Sequence, residues 1–308
     1  MNVSVSGNNT YTEAMRLPSP QILDIDGIRT TYYRAGAGMP IVMMYGGNFG
    51  SADSCSSAYA WNLNFAPLSE RFDVIVFDKL GQGRTDNPAR IEDYTMASVV
   101  KHAASFIRAL NLPPVHLVGH SRGGYAVTRI TKEYPALVHS LTIVSSGTLS
   151  PRVSPNDIVL SRCPYPSGTR ESARWVYERY SFDPRIVTDD WIDTVHEVMS
   201  LDKHKEAVRM MVQENAAGRY FLPELAAQKR ETLAWLREGG LQRPTQIIFG
   251  QNDRTAAIEG AFDLYEMIAR HQRRTDLHIF NQAGHFSFRE HPRLFNSVLT
   301  SFVKLVTS

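Results

Sequence analysis

The stretch Val115–Val127, VHLVGHSRGGYAV, joins two kinds of hydrophobic pattern through Gly-His-Ser-Arg-Gly-Gly. Its short apolar run is typical of a strand buried on both faces, and the residues that follow fit a helical period. A strand that turns directly into a helix needs a sharp, strained turn, with glycine wherever a Cβ would collide with neighbouring backbone. The spacing Gly119-x-Ser121-x-Gly123 therefore predicts a turn that lifts the Ser121 hydroxyl above a sheet edge as a candidate nucleophile.

Strand-type and helical patterns alternate along most of the chain. The Asp-Gly pair in residues 21–36 predicts a hairpin. Further strand-type runs are Ile41–Tyr45, Asp73–Asp78, Ser140–Ser145, Thr245–Gly250 and Asp276–Asn281, and helical patterns cover about 95–110, 125–134, 259–269 and 292–306. This alternation predicts an α/β fold, with a mostly parallel eight-stranded sheet flanked by helices.

The segment 149–225 departs from that alternation. Its first part contains the prolines Pro151, Pro155, Pro164 and Pro166, and only helical periodicities follow. We interpret it as an inserted helical cap, or lid, on a core formed by residues 1–148 and 226–308. Within that core, residues 1–18 are rich in Ser, Asn and Thr and are expected to form an N-terminal arm.

A serine nucleophile needs a histidine base, and ten histidines are present. We prefer His285 because QAGHF directly follows the last predicted strand, at the same sheet edge as Ser121. His278 lies inside that strand, and His291 precedes Pro292 at an expected helix start. His120 adjoins the nucleophile, but its place in the turn should aim its ring elsewhere.

The acid that orients the base is expected at the end of another strand. Asp253, in FGQNDR, follows the strand-type run 245–250, whereas the end of the run 140–145 offers no carboxylate. Asp78 also ends a strand, but Gly81 and Gly83 beside it indicate a turn-organising role. Asp253 is therefore the predicted acid.

The oxyanion of an acyl-transfer reaction needs backbone N–H donors near the nucleophile. The run Tyr45-Gly46-Gly47-Asn48 directly follows the strand-type run 41–45 and offers such N–H groups on a glycine-rich loop. We expect the N–H groups of Gly47 and Arg122 to form the oxyanion hole. A tight turn is the alternative role for these glycines.

Composition excludes several other classes of protein. The formal net charge of +2 is too balanced to favour nucleic-acid or membrane partners, and no apolar run approaches the ~18 residues of a membrane span. The N-terminal residues lack the pattern of a secretory signal. Cys55 and Cys163 stand in no metal-ligand spacing, so we expect two free thiols, no metal, no cofactor and a cytoplasmic location.

Nearly the whole chain, from about Gln21 to Val306, resembles α/β-hydrolases with a helical cap. It is similar to the branch of the meta-cleavage product (C–C) hydrolases and to the related monoalkyl phthalate esterases. The stretches that carry the resemblance are YGGNFG, DKLGQGRTDNP, GHSRGG, GQNDR and AGHFSFREHP. The chain order Ser121, Asp253, His285 is also that of the α/β-hydrolase fold.

Three positions depart from the C–C hydrolase pattern. The family usually has Asn before the nucleophile and Trp after the catalytic histidine, where this chain has His120 and Phe286. In that family an arginine of the cap helix binds the substrate carboxylate, and the aligned position in this chain is Val195 or His196. These departures weaken the expectation of C–C cleavage, since the remaining groups suffice for ester hydrolysis.

The resemblance implies a small-molecule substrate and allows a homo-oligomer. The first expectation is a serine hydrolase of a small carboxylic ester, such as an aromatic acid half-ester like a monoalkyl phthalate. The alternative is C–C hydrolysis of a 2-hydroxy-6-oxo-dienoate in aromatic degradation. A lactonase or amidase, a cofactor-free dioxygenase and a catalytically silent receptor are further alternatives. The expected substrate-binding residues are Gly46, Asn48, His120, Arg162, Trp191, His196 and Phe286, with Arg122, Arg162 or His196 as the carboxylate ligand.

Overall fold

The computed structural model describes residues 16–152 and 162–308. Most of the predicted N-terminal arm and the prolyl segment with Pro155 therefore lie outside the described residues. The strands are β1 (Gln21–Ile25), β2 (Ile28–Ala35), β3 (Pro40–Met44), β4 (Asp73–Phe77), β5 (Val115–His120), β6 (Val138–Val144), β7 (Thr245–Gly250) and β8 (Thr275–Phe280). They form one sheet in the order β1-β2-β4-β3-β5-β6-β7-β8.

The sheet confirms the predicted architecture. β1 and β2 form the expected antiparallel hairpin, with positive φ angles at Asp26 and Gly27, and β2 also runs antiparallel to β4. The remaining pairs are parallel: β3 pairs with β4 and β5, and β5, β6, β7 and β8 follow one another across the sheet. The carboxyl ends of β5, β7 and β8 consequently lie at one edge, which is where such sheets carry their sites.

The helices are α1 (Asn62–Ser69), α2 (Met96–Ala109), α3 (Arg122–Glu133), α4 (Arg170–Tyr180), α5 (Asp189–Ser200), α6 (Asp202–Val208), α7 (Leu222–Gly239), α8 (Ile258–Ala269), α9 (Ser287–Glu290) and α10 (Pro292–Thr307). Two π-helical turns, Arg209–Gln213 and Ala217–Phe221, connect α6 to α7. The predicted cap boundary at residue 225 falls inside α7, so one continuous helix runs across that predicted boundary.

Two apolar layers cover the sheet because successive strand side chains point to opposite faces. Val42 and Met44 contribute to one buried cluster and Ile41 and Met43 to the other, all four at 0% exposure. The second cluster also contains apolar side chains of α4 and α5, such as Val176 and Ile192. The inserted helices therefore share a hydrophobic layer with the core.

Candidate active site

The turn between β5 and α3 has the strained geometry predicted from its glycines. Ser121 adopts φ 54° and ψ −120°, and its N–H donates to the Val144 carbonyl oxygen at 2.8 Å. A Cβ on Gly119 would lie 2.3 Å from the Gly123 carbonyl oxygen, and one on Gly123 would lie 2.4 Å from the Met44 carbonyl oxygen. Larger residues cannot occupy either position without moving the backbone, so the glycines fix the place of Ser121.

His285 and Asp253 lie on the loops after β8 and β7, as predicted. The ring atom His285 Nδ1 is 2.8 Å from Asp253 Oδ2. The other carboxylate oxygen accepts from Thr255 N at 2.8 Å, Thr255 Oγ1 at 2.9 Å and Ala256 N at 2.9 Å. The Asp253 side chain is fully buried. This network fixes its orientation toward the imidazole.

His120 supports His285 rather than replacing it. Its Nε2 lies 2.9 Å from the His285 carbonyl oxygen, which can only accept, so Nε2 carries the proton. The two rings lie 4.5 Å apart between centroids. Burial, followed by the neighbouring His285, lowers the pKa of His120 well below its ordinary value. A neutral His120 therefore positions the His285 backbone, which agrees with the expectation that its ring is aimed elsewhere.

Lys79 organises the loop that contains Gly47. Its buried amino group donates to the carbonyl oxygens of Gly46 at 2.9 Å and Gly47 at 3.1 Å, and burial lowers the pKa of this group well below its ordinary value. A trans peptide points its N–H opposite to its C=O, so the N–H groups of Gly47 and Asn48 point away from Lys79. Among the described residues no acceptor receives the Gly47 N–H. Arg122 is the first residue of α3, where backbone N–H groups lack intrahelical acceptors.

A cavity of about 570 Å³ adjoins these groups. Its lining includes both members of the candidate nucleophile–base pair, both candidate oxyanion donors, and side chains from the inserted helices. The lining residues from the loops at the sheet edge include Gly46, Gly47, Asn48, His120, Ser121, Arg122, His285 and Phe286. Those from the helical segments include Tyr177, Tyr180, Leu222, Leu225, Ala226 and Lys229. Among the described residues no Asp or Glu side chain lines it.

Four of the predicted substrate-binding residues line this cavity: Gly46, Asn48, His120 and Phe286. Phe286 belongs to an aromatic wall, with its ring stacked on Tyr177 at 5.3 Å and edge-on to Trp191 at 5.0 Å. Trp191 itself lies behind that wall, where the Arg289 guanidinium stacks 3.7 Å from its ring centroid. The expected place of Trp191 in the substrate site is therefore corrected to a packing position.

The structure does not bring Arg162 or His196 to the cavity. Arg162 is exposed on the loop before α4, and His196 is exposed on α5. His196 points to solvent because the buried face of α5 contains Trp191, Ile192 and Val195. Of the three candidate carboxylate ligands, only Arg122 lines the cavity.

The inserted segment contacts the histidine loop through backbone and carboxylate groups. The His285 N–H donates to the Tyr180 carbonyl oxygen at the end of α4, at 2.7 Å. Glu290 Oε1 accepts from Phe182 N at 2.6 Å, and Oε2 accepts from Gly284 N at 2.6 Å. Burial raises the pKa of Glu290. The position of His285 is thereby linked to the position of the inserted helices.

Several residues of the site were missed by the sequence argument. Thr255 stands two positions after Asp253, where short polar side chains commonly hydrogen-bond to a neighbouring carboxylate. The spacing in the sequence could therefore have predicted this contact. Lys229 shares a helical face with Leu222 and Leu225, but the boundary placed at residue 225 divided that face. No sequence signal identified the buried Lys79, because its role depends on the close approach of β3 and β4.

Both cysteines are free, as expected. Within residues 16–152 and 162–308, no group of three or more His, Cys, Asp or Glu side chains is arranged to hold a metal ion. In the same residues, no helix combines the length and apolarity needed to cross a membrane.

The chain is similar over most of its length to hydrolases of known name. It is 27% identical over 278 residues to 2-hydroxymuconate semialdehyde hydrolase of Pseudomonas sp. (strain CF600), covering 90% of this chain and 91% of the relative. It is 23% identical over 304 residues to 2-hydroxy-6-oxo-6-(2'-aminophenyl)hexa-2,4-dienoic acid hydrolase of Metapseudomonas resinovorans, covering 98% and 94%.

Solved structures show the same fold. A meta-cleavage product hydrolase from Pseudomonas fluorescens IP01 superposes with a TM-score of 0.73 at 23% identity, covering 94% of this chain and 98% of that one. A putative lipase from Acinetobacter baumannii AYE gives 0.74 at 21% identity, covering 100% and 98%. The family model described as "Alpha/beta hydrolase family" matches residues 46–298. The chain therefore belongs to the α/β-hydrolase family.

Proposed function

We propose that the chain hydrolyses a small anionic substrate through an acyl-enzyme on Ser121, and that the substrate is a 2-hydroxy-6-oxo-dienoate. The cavity carries the proposal: Ser121 and His285 line it together with the cationic side chains of Arg122 and Lys229, and no described Asp or Glu does. The named relatives act on dienoates of this kind. They favour the C–C reaction, which the sequence had placed second, over half-ester hydrolysis.

The proposed roles follow from the hydrogen bonds. Asp253 holds the Nδ1 proton of His285, which leaves Nε2 able to take the Ser121 proton. The N–H groups of Gly47 and Arg122 receive the oxyanion. Among the described residues no group hydrogen-bonds to the Ser121 hydroxyl, and we expect its bond to His285 to form in the substrate complex.

Cleavage of a C–C bond sets one further chemical requirement. Breaking the bond between C5 and the C6 carbonyl carbon leaves an electron pair on C5, which is stabilised only by conjugation with a carbonyl at C2. The 2-hydroxydienoate must therefore first move the proton of its hydroxyl to C5. Ser121 then adds to C6, the C5–C6 bond breaks, the released dienolate takes a proton from His285, and water frees the acid.

Hydrolysis of an aromatic acid half-ester is the second candidate, and the inserted helices favour it. Val195, near the position of the family's carboxylate-binding arginine, is buried and apolar, so α5 supplies no guanidinium there. Ester cleavage needs no ketonisation step. The same cationic cavity would accept the free carboxylate of a monoalkyl phthalate.

The deciding experiment offers the purified protein a yellow ring-fission dienoate and, separately, a monoalkyl phthalate. We expect loss of the yellow absorbance, with a lower rate of alcohol release from the half-ester. Ser121→Ala should lower kcat by a factor on the order of 10³ or more while its circular dichroism and thermal unfolding stay unchanged. Turnover of the half-ester alone would replace the proposed reaction with the second candidate, and wild-type turnover by Ser121→Ala would contradict both.

A further inference from the structure

One face of α7 forms a wall of the cavity. Leu222, Leu225, Ala226 and Lys229 all line it, and their spacing of three, one and three residues places them on one side of a helix. The wall is therefore apolar over about one turn, from Leu222 to Ala226, and ends one turn later in the single basic group of Lys229. An apolar surface followed by a basic group is complementary to a small molecule whose apolar part ends in an anionic group.

Among the described residues, no acidic side chain pairs with Lys229. Its side chain is partly buried, and desolvation lowers its pKa. Within the described residues it makes no ion pair or hydrogen bond. On the neighbouring α3, by contrast, Arg129 pairs with Glu133 and Glu231. A partly desolvated cation without a partner is costly, and an anion in the cavity would recover that cost.

We infer that Lys229 binds the carboxylate of the substrate, with the apolar part of the molecule lying along Leu222, Leu225 and Ala226. This inference rests on the proposed function, since it locates the anionic end of the same substrate. The carboxylate is bound by the α7 wall, not by α5, where Val195 is apolar and His196 is exposed outside the cavity. Arg122, the first residue of the neighbouring α3, also lines the cavity.

Substrate kinetics test the inference. Lys229→Met should lower kcat/KM for the carboxylate substrate about 10- to 100-fold, mainly through KM, because a charge-assisted hydrogen bond is lost. Lys229→Arg should retain most of the activity. The matched control is Arg230→Met, which removes one positive charge from the next, exposed position of the same helix. Equal effects of Lys229→Met and Arg230→Met would contradict a specific contact.

A binding measurement separates this inference from the proposed reaction. Phthalate dianion and neutral dimethyl phthalate are titrated calorimetrically into wild type, Lys229→Met and Arg230→Met. We expect the Kd of phthalate to rise about tenfold or more in Lys229→Met alone, with the dimethyl ester unaffected. An unchanged phthalate Kd, or no binding by the wild type, would overturn the role of Lys229 whatever the reaction is. A Lys229-dependent Kd without turnover of a dienoate or half-ester would contradict only the proposed function.

Discussion

At the scale of single residues, the site depends on backbone that the sequence forces into unusual positions. Ser121 has a positive φ without being glycine, and the hydrogen bonds of its N–H to Val144 and of Ser146 Oγ to its carbonyl oxygen, at 2.7 Å, hold that conformation. Strain of this kind costs on the order of 1–3 kcal/mol and persists only where surrounding contacts over-determine it. Here the close contacts of the flanking glycines supply that constraint.

Lys79 is the residue whose effect on the proposed oxyanion hole can be isolated. Lys79→Met removes the amino group that donates to both the Gly46 and the Gly47 carbonyl oxygens. The Gly47 N–H then loses its fixed direction. We expect kcat to fall about 10- to 100-fold with KM little changed, less than the loss of a whole oxyanion donor. Steady-state kinetics with the carboxylate substrate measure the split between the two constants.

Lys79→Gln is the control for that experiment, because its amide can still donate one hydrogen bond to a loop carbonyl. It should recover part of the kcat that Lys79→Met loses. Thermal unfolding of both variants shows how far each change destabilises the fold. If both variants kept wild-type kcat while Tm fell, Lys79 would have only a structural role.

At the scale of secondary-structure elements, the short helix α9 connects the histidine loop to the inserted helices. Glu290, its last residue, accepts from backbone N–H groups on both sides of this boundary. Arg289, beside it, donates to the Ala60 carbonyl oxygen at 2.8 Å and stacks on Trp191. Two adjacent residues thus join the histidine loop to the turn before α1, to the end of α4 and to α5.

Glu290→Ala should weaken this connection. It leaves the N–H groups of Phe182, Asp183 and Gly284 without their acceptor. A hydrogen bond to a charged group contributes about 1.5–3 kcal/mol. Because Glu290 is only half-buried, water replaces part of what is lost, and the total stays below the sum of three such bonds. We expect the free energy of unfolding in urea to fall by about 2–4 kcal/mol and kcat to fall with it. The matched control is Glu259→Ala, an exposed glutamate in the first turn of α8. A loss no larger than that of the control would show that the connection is not stabilising.

The elements were predictable from sequence where their pattern is local. Strand runs such as Thr245–Gly250 and the hairpin turn at Asp26-Gly27 carry their signals within a few residues. The helix α1 was missed, because its apolar residues include no clear stripe and Pro67 lies inside it. The places of Ser121, Asp253 and His285 followed from the strand ends. The contacts of Lys79 and Glu290 join distant segments, which a single sequence does not specify.

At the scale of the whole molecule, His120 and three further buried histidines make stability dependent on pH. Burial lowers the pKa of His102 to about 4, of His116 to about 3 and of His204 to about 4. Asp26 opposes the shift at His102, while His139 and Lys203 add to the shifts at His116 and His204. In the unfolded chain each would titrate near 6.5, so the unfolded state binds more protons below that pH. Stability is therefore complete above about pH 6.5 and falls as the pH drops toward 4.

His102 allows a direct test, because its Nε2 and Thr30 Oγ1 lie 2.9 Å apart and glutamine can replace that hydrogen bond. Each buried neutral histidine contributes up to about 1.4 kcal/mol of stability per pH unit in this window. His102→Gln should therefore flatten the plot of unfolding free energy against pH by about that slope between pH 6.5 and 4, measured by urea unfolding. His271→Gln, at an exposed histidine, is the control and should leave the slope unchanged. Parallel plots for wild type and His102→Gln would mean that His102 binds its proton at the same pH in the folded and unfolded chains, and that its burial does not set the acid sensitivity.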